Sequence, residues 1–207
     1  EAIQLIGGFS DPHFAIKHAP ALKASLNDVG EFDGAYGPRL RPQYNALVDR
    51  LKSDADTRQA VLSIWRPADL LRESSKDYPC TLVLGFAVRR DKLNLSVVMR
   101  SNDVNWGFKN DVFQFTQLQC SIANILGIEA GVYRHTAFSM HLYERDFEWA
   151  FNLDYSARFN ELSDAPAGIC ARSAHEMQAT AMQIARGDDD FGHACQSHLW
   201  YRDSLAV

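Results

Sequence analysis

The sequence has no excess of positive charge. Its 21 Lys and Arg are outnumbered by 26 Asp and Glu, giving a net charge of −5. A non-specific nucleic-acid binder needs a basic surface, so polymeric nucleic acid is not the expected partner. No run of about 18 apolar residues occurs, so no helix is expected to span a membrane. No signal peptide is visible. The chain opens on Glu1 rather than Met, which points to a trimmed start. The four cysteines, Cys80, Cys120, Cys170 and Cys195, form no CxxC pair, which argues against a zinc knuckle or a thioredoxin-type site, and no metal is expected. A chain of this size does not need disulfides, so a reducing, cytoplasmic setting is expected. There is no internal repeat and no low-complexity block.

What is present is globular. Of the 207 residues, 46% are hydrophobic and 23% charged. That balance fits a single domain over 1–207 with a core large enough to hold a pocket. The run Ala2-Ile3-Gln4-Leu5-Ile6 reads as a short strand closed by Gly7-Gly8. Tyr44, Leu47, Val48 and Leu51 stand at helical spacing. Ala60 to Trp65 reads as a strand. Thr81 to Arg89, the turn Arg90-Asp91-Lys92, and the alternating run Leu93 to Met99 predict a hairpin, with Leu93, Leu95, Val97 and Met99 on its greasy face. Asp111 to Leu126 predicts a helix with Val112, Phe115, Leu118, Ile122 and Ile125 in one stripe, capped by Asp111 and stopped by Gly127. Val132 to Tyr143 reads as a strand, Ala174 to Ala185 as a helix, and 186–190 as a solvated turn. The fold class is α+β.

Four places could carry chemistry. Cys80, in Tyr78-Pro79-Cys80, is a candidate nucleophile if a cation lowers its pKa, and otherwise a buried cysteine opening a strand. Arg100-Ser101-Asn102-Asp103 pairs a forked cation with a hydroxyl, which suits a phosphate, and also reads as a polar loop. His141 and Tyr143 are two apart and share a strand face, where they could clasp a sugar hydroxyl or be satisfied core residues. Arg58, entering a strand, alone reads as a solvated cation.

Taken together, these residues resemble the thymidylate synthase superfamily. The order Arg58, Pro79-Cys80, Arg100-Ser101-Asn102-Asp103, a helix, then His141-Leu142-Tyr143 is similar to that family's over roughly residues 33 to 146. The resemblance implies a thymidylate synthase-like mixed, twisted β-sheet with helices packed on one face. The string Arg100-Ser101-Asn102-Asp103-Val104 to Asn110-Asp111 resembles the cytidylate hydroxymethylase branch, which carries Asp where uracil enzymes carry Asn. An amide matches the N3–H and O4 of uracil. A protonated carboxyl accepts from N4 of cytosine and donates to N3. Leaving one buried edge unpaired costs about 1–3 kcal/mol, enough for tenfold discrimination.

The resemblance implies a reaction and its residues. Cys80 would attack C6 of CMP or dCMP, C5 would take a one-carbon unit from 5,10-methylenetetrahydrofolate, and water would complete the hydroxymethyl group. Arg58, Arg100 and Ser101 would hold the phosphate, Asp111 the base, Asp103 the pterin, and His141 and Tyr143 the sugar. Arg58 would do so across the two-fold axis of a homodimer. Gln59 stands where a second phosphate arginine is common. The family also carries a catalytic Glu on an early helix and a Trp against the folate. Residues 9–35 hold no match for either, so the N-terminal part is expected to be incomplete. Three other readings use the same residues: a cytidylate C5-methyltransferase, a thiol hydrolase built on Cys80 and His141, and a non-catalytic nucleotide binder. Ribose or deoxyribose, and antibiotic biosynthesis or phage DNA modification, stay open.

Overall fold

The computed structural model describes residues 1–153 and 168–187. In chain order the helices are α1 (Ala2–Gly7), α2 (Pro12–His18), α3 (Tyr36–Leu40), α4 (Tyr44–Ser53), α5 (Pro67–Leu71), α6 (Gly107–Leu126), α7 (Phe147–Phe151) and α8 (Ala174–Arg186). The strands are β1 (Val61–Ser63), β2 (Thr81–Arg89), β3 (Lys92–Met99), β4 (Asn102–Asp103), β5 (Glu129–Ala137) and β6 (Met140–His141). The main sheet has the order β1-β2-β3-β5. Its first two pairings are antiparallel and the third is parallel, so it is mixed.

Alternation along β3 places Leu93, Leu95, Val97 and Met99 in the core. Phe115, Leu118 and Ile122 of α6 share that core, and α1, α4 and α8 pack around α6. Removing this apolar area from water is the main drive for the arrangement. On β5, Val132, Arg134 and Thr136 alternate outward and stay exposed, so among the described residues no helix covers that row. Arg89 and Lys92 close the hairpin across Arg90 and Asp91, both at positive φ (55° and 57°), the hand that matches the twist of paired strands.

Several expectations are corrected. Residues 2–7 are helical rather than a strand. Leu5 N–H reaches Glu1 O at 2.9 Å, and Gly8 closes the turn in the left-handed region. A five-residue apolar run has no periodicity that separates a buried strand from a buried helix. The strand read over 60–65 shrinks to Val61–Ser63. The long strand read over 132–143 begins at Glu129, ends at Ala137, and resumes as the two-residue β6, which pairs with β4. The helix read from Asp111 begins at Gly107, so Asp111 lies in its second turn and caps nothing. Val112, placed in its buried stripe, is only half-buried. Cys80 and Cys120 are free thiols but Cys170 is disulfide-bonded, against the expectation of none. Asp188 to Asp190, in the turn read after α8, lie outside the described residues, as does Cys195. No helix of the described residues is long and apolar enough to cross a membrane.

Gly37 fixes how α1 meets α3. A β-carbon there would stand 2.3 Å from the carbonyl oxygen of Phe9 and 2.4 Å from that of Gln4. Backbone passes backbone at this point, and only glycine leaves room.

Candidate active site

Cys80 precedes β2, half-buried against the core. Arg100 follows β3, its N–H donating to Cys80 O at 2.8 Å. The Arg100 side chain turns back along the same loop. Its Nε donates to Pro79 O at 3.1 Å and its Nη2 to Tyr78 O at 3.2 Å, with the guanidinium 5.9 Å from the Trp65 ring centroid. Burial pushes the Cys80 thiol up, the nearby Arg100 charge pulls it down, and the Asp111 and Asp77 charges raise it. The net direction is up, so the resting sulfur is a thiol.

Asp111 faces the same space from α6. Only 9% of it is exposed. Burial is the largest force on its carboxyl. The Gln114 amide, donating to Oδ1 at 2.7 Å, opposes it, the Glu1 charge adds to it, and the Asn102 amide opposes it. The result is an aspartate pushed up to about 7. Such a group is an acid or a carboxylate within the physiological range, as sites that move protons require.

Tyr36, at the head of α3, completes the cluster. Its hydroxyl accepts from Thr81 N–H and meets Thr81 Oγ1, both at 3.1 Å. Its ring stacks on Phe115, 6.2 Å between centroids. Burial raises its pKa, and the charges of Asp111 and Cys80 add to that. Glu1 stands at the head of α1, the early helix, and its charge is felt at Asp111. Reading residues 2–6 as a strand hid this carboxylate. The signal in the sequence was Glu1 directly before an apolar run that ends in Gly7-Gly8.

A second group lies where β4 pairs with β6. Ser101 Oγ and His141 Nδ1 are 3.4 Å apart. His141 meets Tyr143 edge-on at 5.0 Å, and the Arg145 guanidinium lies 4.5 Å over the Tyr143 ring. The two aromatic residues therefore share a side, although Tyr143 lies beyond the strand. Asp103 spends Oδ1 on the N–H groups of Asn105 (2.7 Å) and Trp106 (2.9 Å), shaping the turn into α6. Arg58 is exposed between α4 and β1, and no hydrogen bond or ion pair among the described residues joins it to the rest. Beside it, Gln59 accepts from Arg50.

Sequence reasoning passed over Tyr36, Gln114, Tyr133 and His135, and named Asn102 in its motif without giving it a role. Asn102 is 3% exposed. Its Nδ2 lies 2.8 Å from His135 Nε2, and Tyr133 Oη lies 2.8 Å from His135 Nδ1. The Tyr-x-His spacing on a strand was the available signal.

A family model described as thymidylate synthase matches residues 21–164, most of the chain. The chain belongs to the thymidylate synthase family. Members bind nucleotides, use methylenetetrahydrofolate and are typically dimeric. The deoxyuridylate hydroxymethyltransferase of Bacillus phage SP01 is 34% identical over 164 residues, 71% of this chain and 43% of that protein. The protein of the same name from Pseudomonas phage M6 is 34% identical over 152 residues, 70% of this chain and 43% of its own length. A protein of Methanocaldococcus jannaschii described as a putative thymidylate synthase is 30% identical over 57% of this chain. This chain thus spans under half the length of the two phage relatives. Thermostable thymidylate synthase A from Bacillus subtilis shares the fold, with a TM-score of 0.54 at 22% identity, over 72% of this chain and 60% of that one.

Proposed function

We propose that this chain carries the site of a cytidylate 5-hydroxymethyltransferase, acting on CMP or dCMP with 5,10-methylenetetrahydrofolate as one-carbon donor. The observation that carries this reading is Asp111: a carboxyl buried in α6, pushed up to about 7 by that burial, whose charge raises the Cys80 thiol. An amide has a fixed set of donors and acceptor. A carboxyl near its pKa offers a donor and an acceptor in one form and two acceptors in the other. The first form pairs with both N3 and N4 of cytosine. The second keeps only the N4 contact.

The folate supplies carbon at the oxidation level of formaldehyde. The protein's part is addition and elimination. Cys80 sulfur, as thiolate, bonds to C6 of the ring, and the electron pair of the C5–C6 double bond moves toward C5. With the one-carbon unit joined to C5, a base would remove the C5 proton as the bond from that carbon to the folate nitrogen breaks, so that tetrahydrofolate leaves and an exocyclic methylene remains on C5. Water then adds its oxygen to the exocyclic carbon, and the Cys80 sulfur leaves C6 as the double bond returns. Arg100 is the cation that lowers the Cys80 pKa when sulfur must ionise. Glu1, heading the early helix with its charge felt at Asp111, takes the role of the early-helix glutamate, as proton acceptor and water-positioning group. Arg100 and Ser101 bind phosphate, His141 and Tyr143 the sugar. Asp103 fits a pterin: one carboxylate oxygen is fixed by two N–H groups, which holds the other in a set direction. The exposed row of β5 is the surface for a second copy, from which Arg58 would reach the partner's phosphate.

A second reading is uridylate hydroxymethylation, favoured by the phage relatives, whose names specify deoxyuridylate. One assay separates the two. The protein is incubated with CMP, dCMP, UMP and dUMP and the folate, and products are weighed. Gain of one CH2O on a cytidylate supports the proposal. Gain on a uridylate alone rejects the base assignment, and gain of one CH2 rejects the hydroxymethyl outcome. Asp111→Asn should move preference toward uracil by about tenfold.

A further inference from the structure

A neutral carboxyl reads either pyrimidine edge, because moving its proton between its two oxygens exchanges donor and acceptor. Its neighbours must fix the choice. Gln114 Nε2 donates to Asp111 Oδ1, so Oδ1 is an acceptor and the proton belongs on Oδ2. A β-carbon on Gly107 would lie 2.6 Å from Asn102 Oδ1 and 3.5 Å from Asp111 Oδ2, so these two oxygens flank one small space. Asn102 Oδ1 is buried and has no hydrogen-bond partner among the described residues. A buried carbonyl oxygen without a donor is costly, and it stands beside a group that carries a proton.

The other end of the Asn102 amide is held. Nδ2 donates to His135 Nε2 at 2.8 Å and lies 3.1 Å from the Met99 sulfur. His135 Nδ1 meets Tyr133 Oη at 2.8 Å, and Phe108 stands edge-on to the imidazole at 5.2 Å. Burial lowers the His135 pKa, which keeps the ring neutral. A neutral ring has two tautomers. With hydrogen on Nδ1, it donates to Tyr133 and accepts from Asn102 Nδ2, which leaves Asn102 Oδ1 bare at the space it borders with Asp111 Oδ2. With hydrogen on Nε2, Tyr133 donates to Nδ1, the Asn102 amide turns over, and Nδ2 faces Asp111 instead. An acceptor favours the proton on Oδ2, and a donor favours the bare carboxylate. Glu1, Tyr36, Cys80 and Tyr133 are the other ionisable groups whose charge couples to Asp111.

We infer that Tyr133, His135 and Asn102 form a specificity-determining relay, in which the tautomer of His135 orients the Asn102 amide and so sets which pyrimidine edge Asp111 reads. This rests on the base-reading role given to Asp111 above. His135 acts through Asn102 and is a positioning residue.

The test uses the full chain and binding alone. Dissociation constants for dCMP and dUMP are measured by calorimetry in wild type, Asp111→Asn, His135→Phe, His135→Gln and Tyr133→Phe, with ring 15N shifts reporting the His135 tautomer. The expected result is one tautomer in wild type and a mixture in Tyr133→Phe. The dCMP-to-dUMP preference changes about tenfold in His135→Phe. It returns toward wild type in His135→Gln, whose amide oxygen still accepts from Asn102. A preference unchanged in His135→Phe, or both constants rising equally, overturns the relay. If Asp111→Asn moves the preference and His135→Phe does not, the relay alone falls. If neither moves it, or neither nucleotide binds, the base-reading role falls with it.

Discussion

The two sides of the site are built differently. On the side proposed to read the base, Asp111, Asn102 and Gln114 are all less than a tenth exposed and are bonded to one another or to β5. On the rim, Tyr143 is 48% exposed, Trp106 is 59% exposed, and Arg58 lies in solvent. Water competes for every rim contact, so each contributes little net free energy. Among the buried groups little surface is left to water, and a single misplaced proton leaves a group unpaired at full cost. Under the proposed function, which base is read and what is done to it therefore belong to the interior, while affinity is spread along the rim.

The sharpest test of that division removes the sulfur. Cys80→Ala should lower turnover by on the order of a thousandfold or more, because the addition to C6 has no other nucleophile. Nucleotide binding should persist, since the rim is untouched. Product mass and a parallel nucleotide titration measure both. Residual turnover near wild type would remove Cys80 from the chemistry.

The next effect is on stability. Asp111 has its pKa raised from the ordinary 3.8 to about 7. Below the lower value both folded and unfolded chains hold the proton, and Asp111 costs nothing. As pH rises from there to about 7, the unfolded chain releases it first, so folding stability falls. Above 7 the cost is level, on the order of 4 kcal/mol at most. Asp111→Asn has no such titration. Urea unfolding of both proteins should therefore show the variant gaining on wild type as pH rises from the acid side to neutrality, then no further. A constant difference would mean that the carboxyl is solvated and that the interior is no drier than the rim.

Much of the fold could be read from periodicity. The Leu93-to-Met99 alternation and the α6 stripe each had a period long enough to identify the element, and the motifs around Cys80, Arg100 and His141 fell where the fold brings them together. The misreadings share a cause. Ala2 to Ile6 is too short to show a period, so its helix, and with it Glu1 at the helix head, stayed hidden. Asp111 was read as a cap because capping is local, whereas no side chain among the described residues caps α6, and Asp103, eight residues earlier, shapes the turn ahead of it by accepting from the N–H groups of Asn105 and Trp106. The Tyr133–His135–Asn102 contacts depend on the parallel pairing of β3 with β5 and the two-residue β4, which are non-local.

A smaller change probes the boundary between the two sides. Gly107→Ala would set a methyl group 2.6 Å from Asn102 Oδ1. Asn102 gives way only by loosening its bond to His135, so the expected loss is about 1–3 kcal/mol of stability. Thermal unfolding measures this. An unchanged melting temperature would show that Asn102 is free to move and that the interior is less constrained than its burial implies.

The smallest effect belongs to the rim. The Tyr143 ring is held edge-on to His141 and under Arg145, and both contacts survive in phenylalanine. Tyr143→Phe deletes one half-solvated hydroxyl, worth about 1 kcal/mol in binding. KM for the nucleotide should rise by about fivefold while kcat stays level, because the lost contact is the same in substrate and transition state. Steady-state kinetics over a nucleotide series checks it. A fall in kcat as large as the rise in KM would place Tyr143 at the reacting ring, and the rim would then share in the chemistry that the buried side is here given alone.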